Sequence, residues 1–178
     1  MLRPPEYLET ERLCLRPPTL ADAEEIFRSY AQDREVTRYL VWRPHAEVEE
    51  TCAFVRRCLA CWEKGNAFPW VVTRKPGGEL IGMLELRVEG WRADMGYALA
   101  RAHWGHGYAS EMVKAAAAWA LAQPEIYRVW AVCDVENGAS ARVLEKAGLQ
   151  REGTLRRYIL HPNLGPEPRD CYCYALVK

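Results

Sequence analysis

The chain has 178 residues, of which 49% are hydrophobic and 27% are charged, and its 24 basic residues balance its 24 acidic ones. We expect one globular domain, residues 1–178, with a sizeable core. A net charge of zero argues against a dedicated nucleic-acid binder, which would carry a basic excess. The longest apolar run, Ala115 to Ala122, is too short to cross a membrane, and Met1 to Glu11 lacks the apolar region of a signal peptide. We therefore expect a cytoplasmic protein that does not enter a membrane.

The seven cysteines do not form a metal-binding pattern. Cys58 and Cys61 are spaced as a CxxC pair, but they lie within a helical pattern and no second pair or histidine pair accompanies them. An odd number of cysteines in a cytoplasmic chain favours reduced, mostly buried thiols. We therefore expect no metal.

The first part of the chain is predicted to be helix-rich. Alternation predicts the first strand, and Thr19 with Asp22 then resembles a helix capping box. The longest helix is closed by Gly65. The predicted elements are a strand at 12–16, a helix at 19–30, a short helical stretch at 36–40 and a helix at 46–64.

The remaining part changes to strand periodicity at Phe68. The predicted elements are strands at 68–72, 80–88 and 93–99, a helix ending near Pro124, a strand at 129–133, a helix at 137–147, and strands at 155–160 and 171–177. Early helices, an antiparallel meander and then alternating strands and helices indicate a mixed α/β (α+β) architecture. We expect one mixed sheet with helices on both faces.

The segment from Arg101 to Glu111 follows a strand and opens a helix. Gly105 and Gly107 allow a tight turn and close approach of the backbone to a ligand, and the first amides of a helix have no internal acceptor. These features together are typical of a phosphate or pyrophosphate site. A tight turn into an ordinary helix is the alternative. A Walker loop and a dinucleotide fingerprint do not fit, because the required lysine and third glycine are missing.

Trp104-Gly-His-Gly-Tyr-Ala109 resembles the phosphate-binding segment of the GNAT superfamily of N-acetyltransferases. A tryptophan at the start of this segment resembles the pattern of the RimJ/RimL-like branch, which acetylates the N-termini of ribosomal proteins. Other segments resemble that branch in the same order, so the resemblance covers nearly the whole chain: Leu8–Leu13 with Leu15–Arg16, Val36–Leu40, Arg43–His45, Asn137–Leu149, and Arg169–Asp170 before Tyr174. The resemblance implies a single domain with a central mixed, mostly antiparallel sheet flanked by helices.

The resemblance also implies acetyl-CoA as the acyl donor. The strand that precedes the glycine segment would pair with the pantetheine arm, with an amide near Leu99 against the thioester oxygen. Asn137 would bind the same arm, and a helix cap is an equally good role for it. Arg142 and Lys146 would reach the phosphates, although they also fit a solvated helix face. The implied cofactor-binding residues are Tyr97, Ala98, Leu99, Trp104, Gly105, His106, Gly107, Tyr108, Ala109, Ser110, Asn137, Ser140, Arg142 and Lys146.

Transfer of the acetyl group needs a proton acceptor for the amine and a proton donor for the thiolate. Many superfamily members have a tyrosine where this chain has Leu144, and the resemblance implies Ser140 as the donor instead. A helix-cap hydroxyl and a trapped water are the alternatives. The acceptor is left open among Asp94, Glu85 and Asp170, the last of which also suits binding of the incoming ammonium.

Further residues have weaker assignments. Glu111 matches a family glutamate and also complements the dipole of its helix. Trp42 and Tyr39 border the amine site by resemblance only. The four histidines, at 45, 103, 106 and 161, show no ligand spacing.

The leading hypothesis is an N-acetyltransferase that acts on a primary amine such as a protein N-terminus. The alternatives are a small-molecule amine (a polyamine, an amino acid or an aminoglycoside), a non-catalytic acyl-CoA sensor, and a domain that binds another nucleotide. The expected partners are coenzyme A and the amine acceptor, with no nucleic acid and no membrane. We expect a monomer or homodimer.

Overall fold

The computed structural model describes residues 2–178, so Met1, which the predicted domain includes, lies outside the described residues. These residues form one eight-stranded sheet with the order β1-β2-β3-β4-β5-β6-β8-β7. The strands are Leu8–Glu9 (β1), Leu13–Arg16 (β2), Ala67–Arg74 (β3), Glu79–Glu89 (β4), Arg92–Leu99 (β5), Arg128–Asp134 (β6), Gln150–Leu160 (β7) and Pro168–Val177 (β8).

Five helices accompany the sheet in the described part of the chain. None of them is long and apolar enough to cross a membrane. The first continues as a wider π-helical segment to Ala31. The helices are Ala23–Ile26 (α1), Arg34–Thr37 (α2), Val48–Lys64 (α3), Tyr108–Ala122 (α4) and Gly138–Lys146 (α5).

The predicted mixed sheet with helices on both faces is confirmed. Strands β5 and β6 run parallel, while the other neighbouring pairs of the described sheet are antiparallel. One core contains Met112 of α4 and Leu144 of α5, and a second contains Ile26 of α1 and Val55 of α3. Burial of these apolar side chains against the sheet stabilises the fold. All seven cysteines are free thiols.

Most predicted elements are confirmed, with differences at their ends. The short helix begins earlier than predicted because the side chain of Asp33 caps it, accepting a hydrogen bond from the amide of Glu35 at 2.8 Å. The last two strands begin at Gln150 and Pro168 rather than at 155 and 171. Strand β7 is exposed along nearly its whole length, so no hydrophobic alternation marks its first half. Pairing with β8 defines it instead.

A β-bulge in β4 brings that strand very close to β5. Val72 pairs with Gly82 and Thr73 pairs with Leu80, so Ile81 is the extra residue. A Cβ atom at Gly82 would lie 2.4 Å from the carbonyl oxygen of Ala98, which only glycine allows. The bulge thus fixes the position of the second half of β5.

Strands β5 and β6 pair over only three residues. Arg92, Ala93 and Asp94 face Arg128, Val129 and Trp130, and no pairing follows between the later residues of the two strands. The residues from Met95 to Leu99 therefore have a strand neighbour, β4, on one side only. The strands diverge toward their carboxyl ends, and this opening positions the site described below.

Leu84 provides a test of the central core. Its side chain is 0% exposed, so Leu84→Ala should lower the free energy of unfolding by about 2–5 kcal/mol through lost burial and a residual cavity. The matched control is Leu20→Ala, because Leu20 is 49% exposed and should change stability by less than about 0.5 kcal/mol. Denaturant unfolding measures both, and equal losses would contradict this description of the core.

Candidate active site

A cavity of about 600 Å³ lies in the opening between β5 and β6. It extends from the start of α4 and the side of α5 to the segment around α2. All predicted cofactor-binding residues except His106 line it. The structure therefore brings together two segments that are far apart in the sequence, the glycine segment and α5.

The glycine segment forms the tight turn that its sequence predicts. Gly105 and Gly107 have φ angles of 81° and 82°, in the left-handed region that favours glycine, and Gly107 caps α4. Within the described residues, no amide from Gly105 to Ser110 donates a turn, loop or cap hydrogen bond. Free amides at the positive end of a helix dipole form an anion site.

Arg12 and Glu111 hold this turn from its outer side. Glu111 accepts hydrogen bonds from the amide of Arg12 at 3.0 Å, from its Nε at 2.7 Å and from the hydroxyl of Thr10 at 2.5 Å. Arg12 in turn donates to the carbonyl of His106 at 3.0 Å. Burial alone would raise the pKa of Glu111, but these hydrogen bonds outweigh it and lower that pKa. Glu111 thus anchors the turn as a charged carboxylate, beyond any effect on the helix dipole.

Two hydroxyl groups meet at the wall formed by β5 and α5. The hydroxyls of Tyr97 and Ser140 lie 2.7 Å apart, and Asn137 caps α5 by accepting from the amide of Ser140 at 3.1 Å. Burial raises the pKa of Tyr97, which keeps its proton on the oxygen. Leu144 is fully buried and contributes no polar group. The sequence did not reveal that the side chain of Tyr97 belongs to this pair.

Cys133 of β6 lies in the same wall. It is 5% exposed, and burial raises the pKa of its thiol to about 11. The thiol is therefore protonated at neutral pH.

The three carboxylates considered as proton acceptors lie outside the cavity wall. Asp94 accepts from Nε of Arg87 at 2.8 Å, and Glu85 lies 3.2 Å from Nη1 of the same guanidinium. Asp170 on β8 accepts from the amide of Arg157 on β7 at 2.8 Å, at the β7 edge of the sheet. The structure thus groups Asp94 with Glu85 and separates both from Asp170. Their catalytic roles stay predictions.

A buried polar cluster near the end of β6 was not predicted. Asp134 accepts from Nε of Arg169 at 2.6 Å and from the amide of Glu136 at 2.9 Å. Burial opposes ionisation of Asp134, yet these hydrogen bonds lower its pKa. His161 lies beside it, 3% exposed, with Nε2 at 3.7 Å from the carboxylate. Both Asp134 and His161 line the cavity.

The side of the cavity next to α2 includes Tyr39. The rings of Tyr39 and His161 meet edge to face, with their centroids 6.2 Å apart. Trp42, in contrast, packs against His45 with ring centroids 5.0 Å apart and lies outside the cavity wall. No group of three or more His, Cys, Asp or Glu side chains within residues 2–178 has a geometry that would hold a metal ion.

Two features of the structure, the separation of β5 from β6 and the glycine turn at the start of α4, form the site, and comparison with known families identifies the class of protein. The sequence model of the acetyltransferase (GNAT) domain matches residues 12–150. The chain therefore belongs to the GNAT family of acetyltransferases and is an acetyl-transferring enzyme.

Known proteins are similar over nearly the whole chain. The uncharacterized N-acetyltransferase YoaA of Bacillus subtilis (strain 168) is 34% identical over 174 residues, which cover 96% of each chain. A crystal structure of a GNAT acetyltransferase from Bacillus anthracis is 26% identical, with a TM-score of 0.83 over 96% of this chain and 98% of that one. RimL, a ribosomal alpha-N-protein acetyltransferase solved with coenzyme A, is 21% identical with a TM-score of 0.85 over 97% and 98%. The last similarity shows the fold alone.

The buried imidazole of His161 has a predicted effect on stability. Burial lowers its pKa although Asp134 acts in the opposite direction, so the unfolded chain binds a proton more readily than the folded one. Stability should therefore fall as the pH drops below about 6.5, the ordinary histidine value. His161→Phe should reduce this loss, whereas His106→Phe, at an exposed position, should not. Urea unfolding between pH 5 and pH 8 tests the difference, and parallel curves for all three proteins would contradict it.

Proposed function

We propose that this protein transfers an acetyl group from acetyl-CoA to the N-terminal amine of a protein or peptide. The observation that carries the proposal is the continuous cavity, which joins an anion-binding turn at one end to a pocket beside α2 at the other. The structural similarity to RimL, which was solved with coenzyme A, supports this donor and this class of acceptor.

The donor would extend from the turn into the sheet opening. Its pyrophosphate suits the free amides from Gly105 to Ser110, and Arg142 and Lys146 supply positive charge along the cavity wall. Beyond the turn, the edge of β5 from Met95 to Leu99 has no partner strand on the β6 side. An extended chain with amide groups, such as pantetheine, is suited to pair with such an edge.

The hydroxyls of Tyr97 and Ser140 suit the last step of the reaction, in which the departing thiolate is protonated. Attack of the amine nitrogen forms a carbon–nitrogen bond and breaks the carbon–sulfur bond, and the departing thiolate then needs a proton. Ser140 would donate it, and the proton of Tyr97 would replace the one that Ser140 loses. The 2.7 Å distance between the two oxygens supports this transfer. A sensor that only binds acyl-CoA has no need of such a pair.

Binding of the donor is tested at Gly107. Gly107→Ala forces a side chain into the left-handed region and disturbs the turn, so the Kd for acetyl-CoA in calorimetry should rise about tenfold or more. Gly90→Ala is the matched control, because Gly90 has a φ of 59° in open space away from the cavity. It introduces the same kind of strain and should leave the Kd unchanged. If the Kd of the wild-type protein were beyond millimolar, the proposed donor would be wrong.

The acceptor is tested with a panel of amines. Peptides with different N-terminal residues should be acetylated at the α-amine, as followed by thiol release and peptide mass. Blocking the α-amine of the same peptides is the control, and it should abolish turnover. If polyamines, amino acids or aminoglycosides were acetylated and peptides were not, the reaction would remain but the acceptor would be a small molecule.

The proton donor is tested by removing each hydroxyl. Ser140→Ala should lower kcat by about a hundredfold, and Tyr97→Phe by about tenfold because Ser140 remains in place. The KM for acetyl-CoA should change little. Tyr127→Phe, at an exposed tyrosine away from the cavity, is the matched control and should leave kcat unaltered. Unchanged kcat in both site variants would assign protonation to water.

A further inference from the structure

We propose that His161 is the proton acceptor for the attacking amine, with the carboxylate of Asp134, itself fixed by Arg169, beside its ring. The inference rests on the proposed function and names a group that performs one step of it. No histidine stood among the proton acceptors predicted from the sequence, which were all carboxylates.

Position is the first argument. His161 immediately follows β7 and is 3% exposed to solvent, yet it forms part of the wall of the cavity that Ser140 also lines. Tyr39, next to α2, packs its ring against His161. The imidazole therefore lies toward the α2 side of the cavity, while the hydroxyl pair lies between β5 and α5. A proton acceptor and a proton donor in different parts of one cavity suit a reaction in which the amine loses a proton and the thiolate gains one.

Unused hydrogen-bonding capacity is the second argument. Both ring nitrogens of His161 are buried and neither has a partner in good hydrogen-bond geometry among the described residues, although the backbone of Tyr39 and Leu40 lies close to the ring. Leaving a buried polar atom unpaired is unfavourable, so such an atom needs an explanation. A ligand in the cavity would supply the missing partner.

The charges around the ring are the third argument. Asp134 on β6 presents its Oδ2 at 3.7 Å from Nε2, and Arg169 on β8 donates to the same oxygen at 2.6 Å. Glu136 pairs with the same guanidinium at 2.9 Å. A fixed carboxylate at this distance stabilises the imidazolium that forms when the ring takes a proton.

The charge state of His161 also agrees with this role. Burial lowers its pKa, so the ring is neutral and able to accept a proton at neutral pH. The carboxylates of Asp94 and Glu85 are less suited, because both are neutralised by Arg87 and lie outside the cavity wall.

The lone pair of the neutral amine attacks the thioester carbonyl, and the nitrogen becomes positively charged as the carbon–nitrogen bond forms. Its proton passes to a ring nitrogen of His161, the carbon–sulfur bond breaks, and the sulfur receives a proton from Ser140. The imidazolium then returns its proton to solvent, and the pair formed by Tyr97 and Ser140 takes one proton from solvent, which restores both groups for the next turnover. The products are the amide and coenzyme A.

The test is His161→Gln, which keeps a polar side chain but cannot accept a proton near neutral pH. Its kcat for the best acceptor from the amine panel should fall by about 10²–10⁴-fold, while the Kd for acetyl-CoA stays within about twofold. His45→Gln is the matched control and should keep wild-type activity, because His45 lies outside the cavity wall, hydrogen-bonded to Thr51. If His161→Gln failed to fold, His161→Phe, which removes the buried unpaired atoms, would replace it.

The pH profile separates proton transfer from a structural role. In the wild type, the logarithm of kcat/KM should fall with a slope of two below the pKa of His161, because the acceptor amine and the imidazole are both protonated there. In His161→Gln the slope should be one, since only the amine still titrates. Loss of activity with an unchanged slope of two would overturn the assignment.

Hydrolysis of acetyl-CoA without any amine distinguishes the two proposals. Water then takes the place of the amine, and His161→Gln should slow this background release of thiol as well. If no amine were a substrate but hydrolysis fell in the variant, acetyl transfer to an amine would be wrong, and the assignment of His161 as proton acceptor would be kept. If amine turnover were unaffected in His161→Gln, the assignment of His161 would be wrong, and acetyl transfer to an amine would be kept. No turnover of either kind by the wild type would overturn both.

Discussion

The rest of the site depends on the early separation of β5 and β6. Parallel strands normally continue side by side, and here they pair over three residues before they part. The separation leaves one edge of β5 free, opens a cavity through the sheet, and places the start of α4 at its mouth. The bulge at Ile81 and the close contact of Gly82 with Ala98 hold β5 firmly on its other side. A rigid edge next to an open gap is what an extended ligand needs in order to pair with backbone.

Charged groups outside the cavity fix the geometry of its wall. Glu111 and Arg12 tie the opening segment of the chain to the glycine turn, over a separation of 99 residues in the sequence. Arg169 similarly ties β8 to Asp134 at the end of β6. Both arrangements join a buried or half-buried carboxylate to an arginine with two or more hydrogen bonds, the geometry in which such pairs are strongest. They position backbone and side chains that themselves face the cavity.

The sequence predicted the sheet, both helical layers and the glycine turn, because these follow from local periodicity and from residues adjacent in the chain. It did not predict the length of β7, whose exposed residues carry no hydrophobic pattern and whose limits come from pairing with β8. The predicted cofactor-binding residues come from two regions of the chain, 97–110 and 137–146, and all of them except His106 line one cavity, while their binding roles stay predictions. The pair formed by Asp134 and His161 could not be predicted, because 27 residues separate them and no local spacing indicates their contact. The same applies to the hydroxyls of Tyr97 and Ser140, which meet only when β5 and α5 pack together.

Cys133 illustrates how burial controls unwanted chemistry. Its thiol belongs to the cavity wall, and a pKa of about 11 leaves only about one thiol in ten thousand ionised at neutral pH. Exchange with a thioester, and with a disulfide, requires the ionised form. Burial thus disfavours the reactive form of a thiol that lies in the wall where the proposed donor would bind.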